Sequence, residues 1–361
     1  MGKVLILGVA DIRHMTMISL YTEYLKKNNI EYEIICSDRY HDNSIKYEDV
    51  KVYKYPMMGN NSSKVIKLWY FLKFRSYAIK KMEENKYDFV ITWGENTAVL
   101  FADYLKRRGD YCVNIRDTTF SKMPFFFQKL TKAVNNSSFS TWCAQRGLEL
   151  LPKHDYVIVL NQNRKLLQEA VKNQGLRKKE EAIHVGAIGA IRYIEDTKKL
   201  MNAVKNDDRY VLQFFGTGSE ELEEYAEILE MKNVEFHGKF YPEETASLLD
   251  RIDVMNVYCG DGKNDKNITL GAPIRYGYAT YLYKPAIVSP NTRLSEKTKE
   301  LNIGYTVNNL GNFADEFYEW YHGLDFHEFV KGCDSYNKDY EDSFKRFDEV
   351  CNRYIKEKVE E

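Results

Sequence analysis

The sequence predicts an α/β protein built from two parallel-sheet halves. Short apolar runs alternate with longer amphipathic stretches along most of the chain, the pattern of strands joined by crossover helices. A charged run, GLRKKEE (175–181), interrupts that rhythm midway, and the same rhythm restarts after it. The length of 361 residues suits two domains of ordinary size.

In the first half, strands are expected at 3–9, 31–36, 50–55, 87–93, 111–115 and 155–160. Helices are expected at 17–28, 64–82 and 98–108, with a further one following residue 160 and running through Leu176. In the second half, strands are expected at 182–185, 210–215, 234–237, 254–258 and 285–289. Helices are expected at 196–204, 220–231 and 242–251, the last opened by a Pro-Glu-Glu start signal. A Gly-x-Gly turn, Gly216 and Gly218, links the strand at 210–215 to the acidic helix after it. The tail from about residue 334 reads as polar helix. The expected domains are therefore 1–177 and 178–335, with a final helix at 336–361.

Composition narrows the function classes. Apolar residues are 44% and charged residues 29%, enough to build two cores in water. The formal net charge of −1 gives no global pull toward nucleic acid, so anion binding must come from local patches. The six cysteines form no CxxC pair and no zinc-like spacing with histidine. Cys36, Cys112 and Cys259 lie in or beside apolar runs and read as small hydrophobes in a reducing compartment. The apolar stretch at the start is too short for a signal peptide. No run approaches the roughly 20 residues of a membrane-spanning helix. The chain is expected in the cytoplasm, and the sequons at Asn60 and Asn61 read as polar loop.

Four ordered stretches carry a resemblance. They are HVGAIGAIRYIEDTKKLMNAV (184–204), VLQFFGTGSEELEEYA (211–226), NVEFHGKFYPEETASLLDRIDVMNVY (233–258) and APIRYGYATYLYKPAIVSPNTRLSEKTKELNIGYTV (272–307). Together they resemble the nucleotide-binding half of GT-B glycosyltransferases, with the nearest similarity to family 4 members of bacterial capsule and surface-polysaccharide pathways. The resemblance implies two Rossmann-like domains facing a cleft, with the C-terminal helix returning to the first domain. The first domain would bind acceptor and the second a nucleoside-diphosphate sugar. It also implies retention of configuration, no metal in the chemistry and no resident cofactor, the sugar nucleotide serving as co-substrate.

Residue roles follow from that resemblance. Negative charge grows on the leaving diphosphate, and preorganised cations and amides must meet it. Arg192 resembles the phosphate-contacting arginine, and Arg275, in Pro273-Ile274-Arg275, stands where the family has Lys or Arg. Gly186 and Gly189 would form a loop whose amides approach phosphate. Phe236, His237 and Gly238 stand where a strand end turns toward the base. Where family members carry carboxylates that hold the donor ribose, this chain has Leu270 and Tyr278; Asp261 or Asp265 is an alternative source of acid. In the first half, Asp117 is the candidate for contact with acceptor or donor hydroxyls. Arg116 would orient it, and Glu95 and His14 are further candidates on the acceptor side.

One further stretch has its own chemistry. KVIKLWYFLKFRSYAIKKM (64–82) carries six cations and no acid, interleaved with Trp69, Tyr70, Phe71 and Phe74. SKMPFFFQKLTKAV (121–134) has the same character. Both suit an anionic membrane interface, and both also suit amphipathic helices with aromatics in the core.

The expected function is transfer of a hexose-type sugar from a nucleoside-diphosphate sugar to a glycan or lipid-linked acceptor in surface-polysaccharide synthesis. The alternative is a catalytically silent GT-B partner subunit. A nicotinamide-dependent oxidoreductase is disfavoured, because GVADIR rather than G-x-G-x-x-G follows the first strand.

Overall fold

The computed structural model describes residues 2–15, 17–39, 50–56, 63–116, 123–144, 147–261 and 273–360. The chain divides into two compact units, Met1–Leu160 with Asp342–Glu361, and Asn161–Glu341.

The first unit holds seven strands: β1 (Lys3–Asp11), β2 (Glu31–Asp38), β3 (Val52–Pro56), β4 (Phe89–Trp93), β5 (Tyr111–Ile115), β6 (Phe139–Trp142) and β7 (Tyr156–Ile158). They pair in the order β3-β2-β1-β4-β5-β6-β7, every pair parallel. Strands β4 and β5 are buried along their whole length. That is why they read as continuous apolar runs rather than as alternating ones. Helices α1 (Ser19–Lys27), α2 (Lys64–Asn85), α3 (Glu95–Arg108) and α4 (Pro124–Asn135) join them. Phe74 and Ala78 of α2, Phe101 and Leu105 of α3, and Leu130 and Val134 of α4 share one core with β1, β4 and β5. These three helices therefore cover one face of the sheet. The other face takes α1 and the chain's last segment: Tyr21 packs edge-on against Phe347 at 5.0 Å, and the Tyr24 hydroxyl donates to Asn352 Oδ1 at 2.7 Å.

The second unit holds β8 (Ile183–Ile188), β9 (Tyr210–Phe215), β10 (Val234–Gly238), β11 (Val254–Val257), β12 (Ala286–Val288) and β13 (Gly304–Thr306). Their order is β10-β9-β8-β11-β12-β13, again with every pair parallel. Its helices are α5 (Arg164–Leu167), α6 (Ile194–Ala203), α7 (Glu220–Ile228), α8 (Thr245–Asp250), α9 (Ile274–Tyr281), α10 (Arg293–Leu301) and α11 (Phe313–Gly323). Neighbouring strand residues point to opposite faces. Phe214 and Val254 accordingly enter one core, while Phe215 and Met255 enter the other. Helix α12 (Phe326–Cys351) begins in this unit. A π turn (Asn352–Lys356) and α13 (Glu357–Glu360) follow it in the first.

Most of the expected elements lie where the sequence places them, while α4, α9, α10, α11 and β13 have no counterpart among the expected elements and three further elements differ from the sequence reading. The helix expected through Leu176 is only the single turn α5. Beyond it the backbone donates elsewhere, Val171 N to Asp250 Oδ1 at 2.8 Å and Asn173 N to Leu282 O at 2.9 Å. Tertiary partners thus replace the helical ones, and residues 161–177 cluster with the second unit. Strand β6 is missing from the sequence reading because FSTW is half polar. All four residues are nonetheless buried, with Thr141 Oγ1 donating to Asn114 Oδ1 at 2.8 Å. The final long helix starts at Phe326 rather than near residue 334. Among the described residues no helix is long and apolar enough to cross a membrane.

Candidate functional site

All strands of the second unit run parallel, so the loops leaving β8, β9, β10 and β11 gather along one edge. Helix α9 leads into β12, and its first turn lies on that same side. Glycines let the loops touch. Gly189, the first residue past β8, has φ 101 and donates to Phe215 O at 2.8 Å. Gly216, the first past β9, has φ 142 and donates to Gly238 O at 2.7 Å. A Cβ on Gly216 would lie 1.8 Å from Gly189 O, so no other residue fits there. A Cβ on Gly260 would fall 2.6 Å from Asp196 Oδ2, which brings the β11 loop against the start of α6.

Two cations stand at this edge. Arg192 lies in the loop between β8 and α6 and is exposed; Arg275 is the second residue of α9 and part-buried. Burial pushes the Arg275 guanidinium below its ordinary pKa. The positive charge of Arg192 adds to that depression, while Cys259 and Tyr193 oppose it. The two arginines are therefore within electrostatic reach of one another. Among the described residues neither has a hydrogen-bond or ion-pair partner. Like charges held near one another are costly unless an anion joins them. Helix α9 also opens without a side-chain cap, at Pro273, which leaves its first-turn amides to other acceptors.

The remaining second-unit candidates occupy varied positions. Gly189 and Gly238 are at the edge, joined through Gly216. Gly186 lies inside β8 rather than in the loop where the sequence placed it. A Cβ there would meet Ile252 Cγ1 at 2.3 Å, so this glycine serves close packing. The Phe236 ring stacks on Phe214 at 5.2 Å. His237 stacks on Phe215 at 4.5 Å and bonds Glu235 and Arg251. Tyr278 is buried in the apolar core of α9, and burial raises its hydroxyl pKa. Asp261 follows β11 and its carbonyl accepts from Asn291 Nδ2 at 3.1 Å. Leu270 and Asp265 lie outside the described residues.

In the first unit, His14, Glu95 and Arg116 follow β1, β4 and β5, three neighbours in the sheet, and share its carboxyl edge. His14 is exposed, whereas Glu95 is 3% exposed at the first position of α3. Arg116 donates through Nε to Asn114 Oδ1 at 3.1 Å and through Nη1 to Val159 O at 2.9 Å. Those bonds fix it beneath the edge, beside the Trp93 ring. Asp117 lies outside the described residues.

Sequence reasoning missed the contribution of Gly216, Gly218 and Gly260 to the edge. The signal available was a glycine within three residues of the end of β8, β9 and β11. The buried Lys284 was also missed: its Nζ donates to Ile252 O at 2.6 Å and Asn173 Oδ1 at 2.9 Å.

No family model matches the chain and no curated protein matches it. Solved structures do. Sucrose-phosphate synthase from Thermosynechococcus elongatus has a TM-score of 0.65 at 11% identity, covering 96% of this chain and 100% of its own. The lipopolysaccharide outer core galactosyltransferase WaaB has 0.61 at 12%, covering 98% and 100%. Anabaena HepE in complex with UDP and glucose has 0.60 at 13%, covering 100% of each chain. UDP-N-acetylglucosamine 2-epimerases share the architecture as well. The fold is that of the GT-B glycosyltransferases, two Rossmann-like parallel-sheet domains. At these identities the likeness establishes the fold and leaves the reaction open.

Proposed function

We propose that the protein is a glycosyltransferase that takes a sugar from a nucleoside-diphosphate donor and passes it to a glycan or lipid-linked acceptor. The observation that carries this is the pair Arg192 and Arg275, unpartnered among the described residues at the glycine-lined edge of the second unit. In the reaction the bond between the sugar's anomeric carbon and the diphosphate oxygen breaks, and a bond to the acceptor oxygen forms. The acceptor proton leaves on the departing diphosphate. The two guanidiniums and the α9 amides would meet the charge that grows on that diphosphate.

Among solved structures similar to this one, HepE is seen with UDP and glucose, which supports a nucleotide-sugar ligand. Following the sequence resemblance, we place the donor on the second unit and the acceptor on the first. We assign retention of configuration, no metal in the chemistry, and a role in bacterial surface-polysaccharide synthesis. Tyr278, which the sequence places where the family carries a ribose-binding carboxylate, is buried in the core and is left out of the donor site. Asp117, Glu95, Arg116 and His14 would line the acceptor side. The site of action we propose is the cytoplasmic face of a membrane.

Calorimetric titration with UDP and with GDP tests the reading. Binding of one of them, weakened in Arg275→Ala, is the expected result; no binding of either overturns it. The second reading, a silent partner subunit, is favoured by the burial of Tyr278 in the core. Nucleotide binding without sugar transfer or donor hydrolysis would establish that alternative.

A further inference from the structure

The structure divides the basic aromatic stretch of α2 in two. Phe74, Ala78 and Met82 are buried against the sheet. Val65, Ile66, Leu68, Trp69 and Leu72, in the first turns, are exposed, Val65 at 78% and Trp69 at 52%. The aromatic content of this helix is therefore not explained by its core contacts alone. A second exposed apolar group stands on α4: Phe125 is 70% exposed and Met123 precedes it.

Topology brings the two groups to the same place. α2 follows β3 and α4 follows β5 in an all-parallel sheet, so both helices start at its carboxyl edge. α3 lies between them and packs against each. The exposed residues thus flank the edge that carries Glu95 and Arg116. The charge within each stretch has one sign. Residues 63–82 contain no acid, and neither do residues 121–135. Lys73 lies over the Trp69 ring, 4.7 Å from its centre, and Lys129 lies over Phe125 at 6.0 Å. By contrast, Arg75 and Lys81 are bound to Leu100 O and Glu84, and Lys129 and Lys132 both pair with Asp103 of α3. That leaves cation to spare at the start of α2 rather than at its end.

We infer that this edge docks on an anionic lipid bilayer. Trp69, Leu68 and Phe125 enter the headgroup boundary, and Lys67 and Lys73 meet acidic headgroups. Aromatic and aliphatic side chains among lysines, with no acid in either stretch, match that interface in both polarity and charge. An acidic protein would match the charge as well. The exposed apolar side chains at the starts of α2 and α4 add contacts that charge pairing alone would not use. The consequence for the proposed reaction, which rests on the reading above, is an acceptor carried by a membrane lipid and delivered to the edge where the protein docks.

The test is co-sedimentation of the full chain with phosphatidylcholine vesicles, with and without phosphatidylglycerol. Binding is expected only with the anionic lipid, and to fall as salt is raised. Trp69→Glu combined with Phe125→Glu should lower the bound fraction at least tenfold, and Lys67→Glu with Lys73→Glu by roughly tenfold. Every variant should keep the wild-type melting temperature and UDP titration, since none touches the second unit. Absence of vesicle binding by the folded protein overturns the inference. So does a concentration-dependent dimer that Trp69→Glu abolishes, because the patch would then bind a second copy. Failure of UDP binding alongside intact vesicle binding would count against the transferase reading and not against the membrane surface.

Discussion

Arg275 has two liabilities for the folded chain, partial burial and a neighbouring positive charge, and among the described residues it has no compensating partner. Removing it should relieve the fold while harming the reaction. Arg275→Ala is expected to lower kcat/KM by roughly 10²–10³ without lowering the melting temperature; unchanged kinetics in the folded variant would remove Arg275 from the mechanism. Lys284 makes a separate case. It is 2% exposed and is held by two neutral acceptors, and burial lowers its pKa from 10.5 to about 8. Below pH 8 both folded and unfolded chains carry the proton, and the cost of burying the ammonium is fully present. Between pH 8 and 10.5 the unfolded chain binds more protons, so stability rises with pH, by about 3 kcal/mol across the window. Urea denaturation should show this rise in the wild type and its loss in Lys284→Met.

At the scale of elements, the site depends on loops that touch and on helices that begin in the right place. Gly216→Ala puts a methyl into Gly189 O and forces a side chain to φ 142. It should destabilise the protein by on the order of 3 kcal/mol and abolish nucleotide binding with it. Intact UDP binding in that variant would show that the β8 and β9 loops do not form the anion site. Helix α10 begins with a reciprocal cap, Thr292 Oγ1 accepting from Ser295 N at 3.0 Å and Ser295 Oγ from Thr292 N at 3.1 Å. Thr292→Ala should cost about 1 kcal/mol in chemical denaturation.

Across the whole molecule, one sheet is assigned the donor and the other the acceptor and the bilayer. The two functions should therefore separate experimentally. A saturating nucleotide, at about a hundredfold excess over its Kd, should stabilise the folded chain by about 2.7 kcal/mol, and anionic vesicles should not alter that increment. Much of this organisation was legible beforehand. The strands at 111–115 and 210–215 have the bounds their apolar runs suggested, because residues buried on both faces leave an unbroken signal. β6 was illegible because its polar residues bond within the core and look like loop. α5 was overextended because Val171 and Asn173 donate to partners far along the chain, which local periodicity does not register.

The α/β class, the two parallel-sheet halves and the positions of Arg192 and Arg275 are written in the order of residues, since hydrophobic period and residue order are local properties. It takes the folded chain to bring these two arginines within electrostatic reach, to pack Gly186 against Ile252 instead of opening a loop, and to bury one part of the aromatic stretch of α2 while exposing another. Each of those depends on which distant residue fills the adjoining space, and that is settled when the strands are ordered in their sheets.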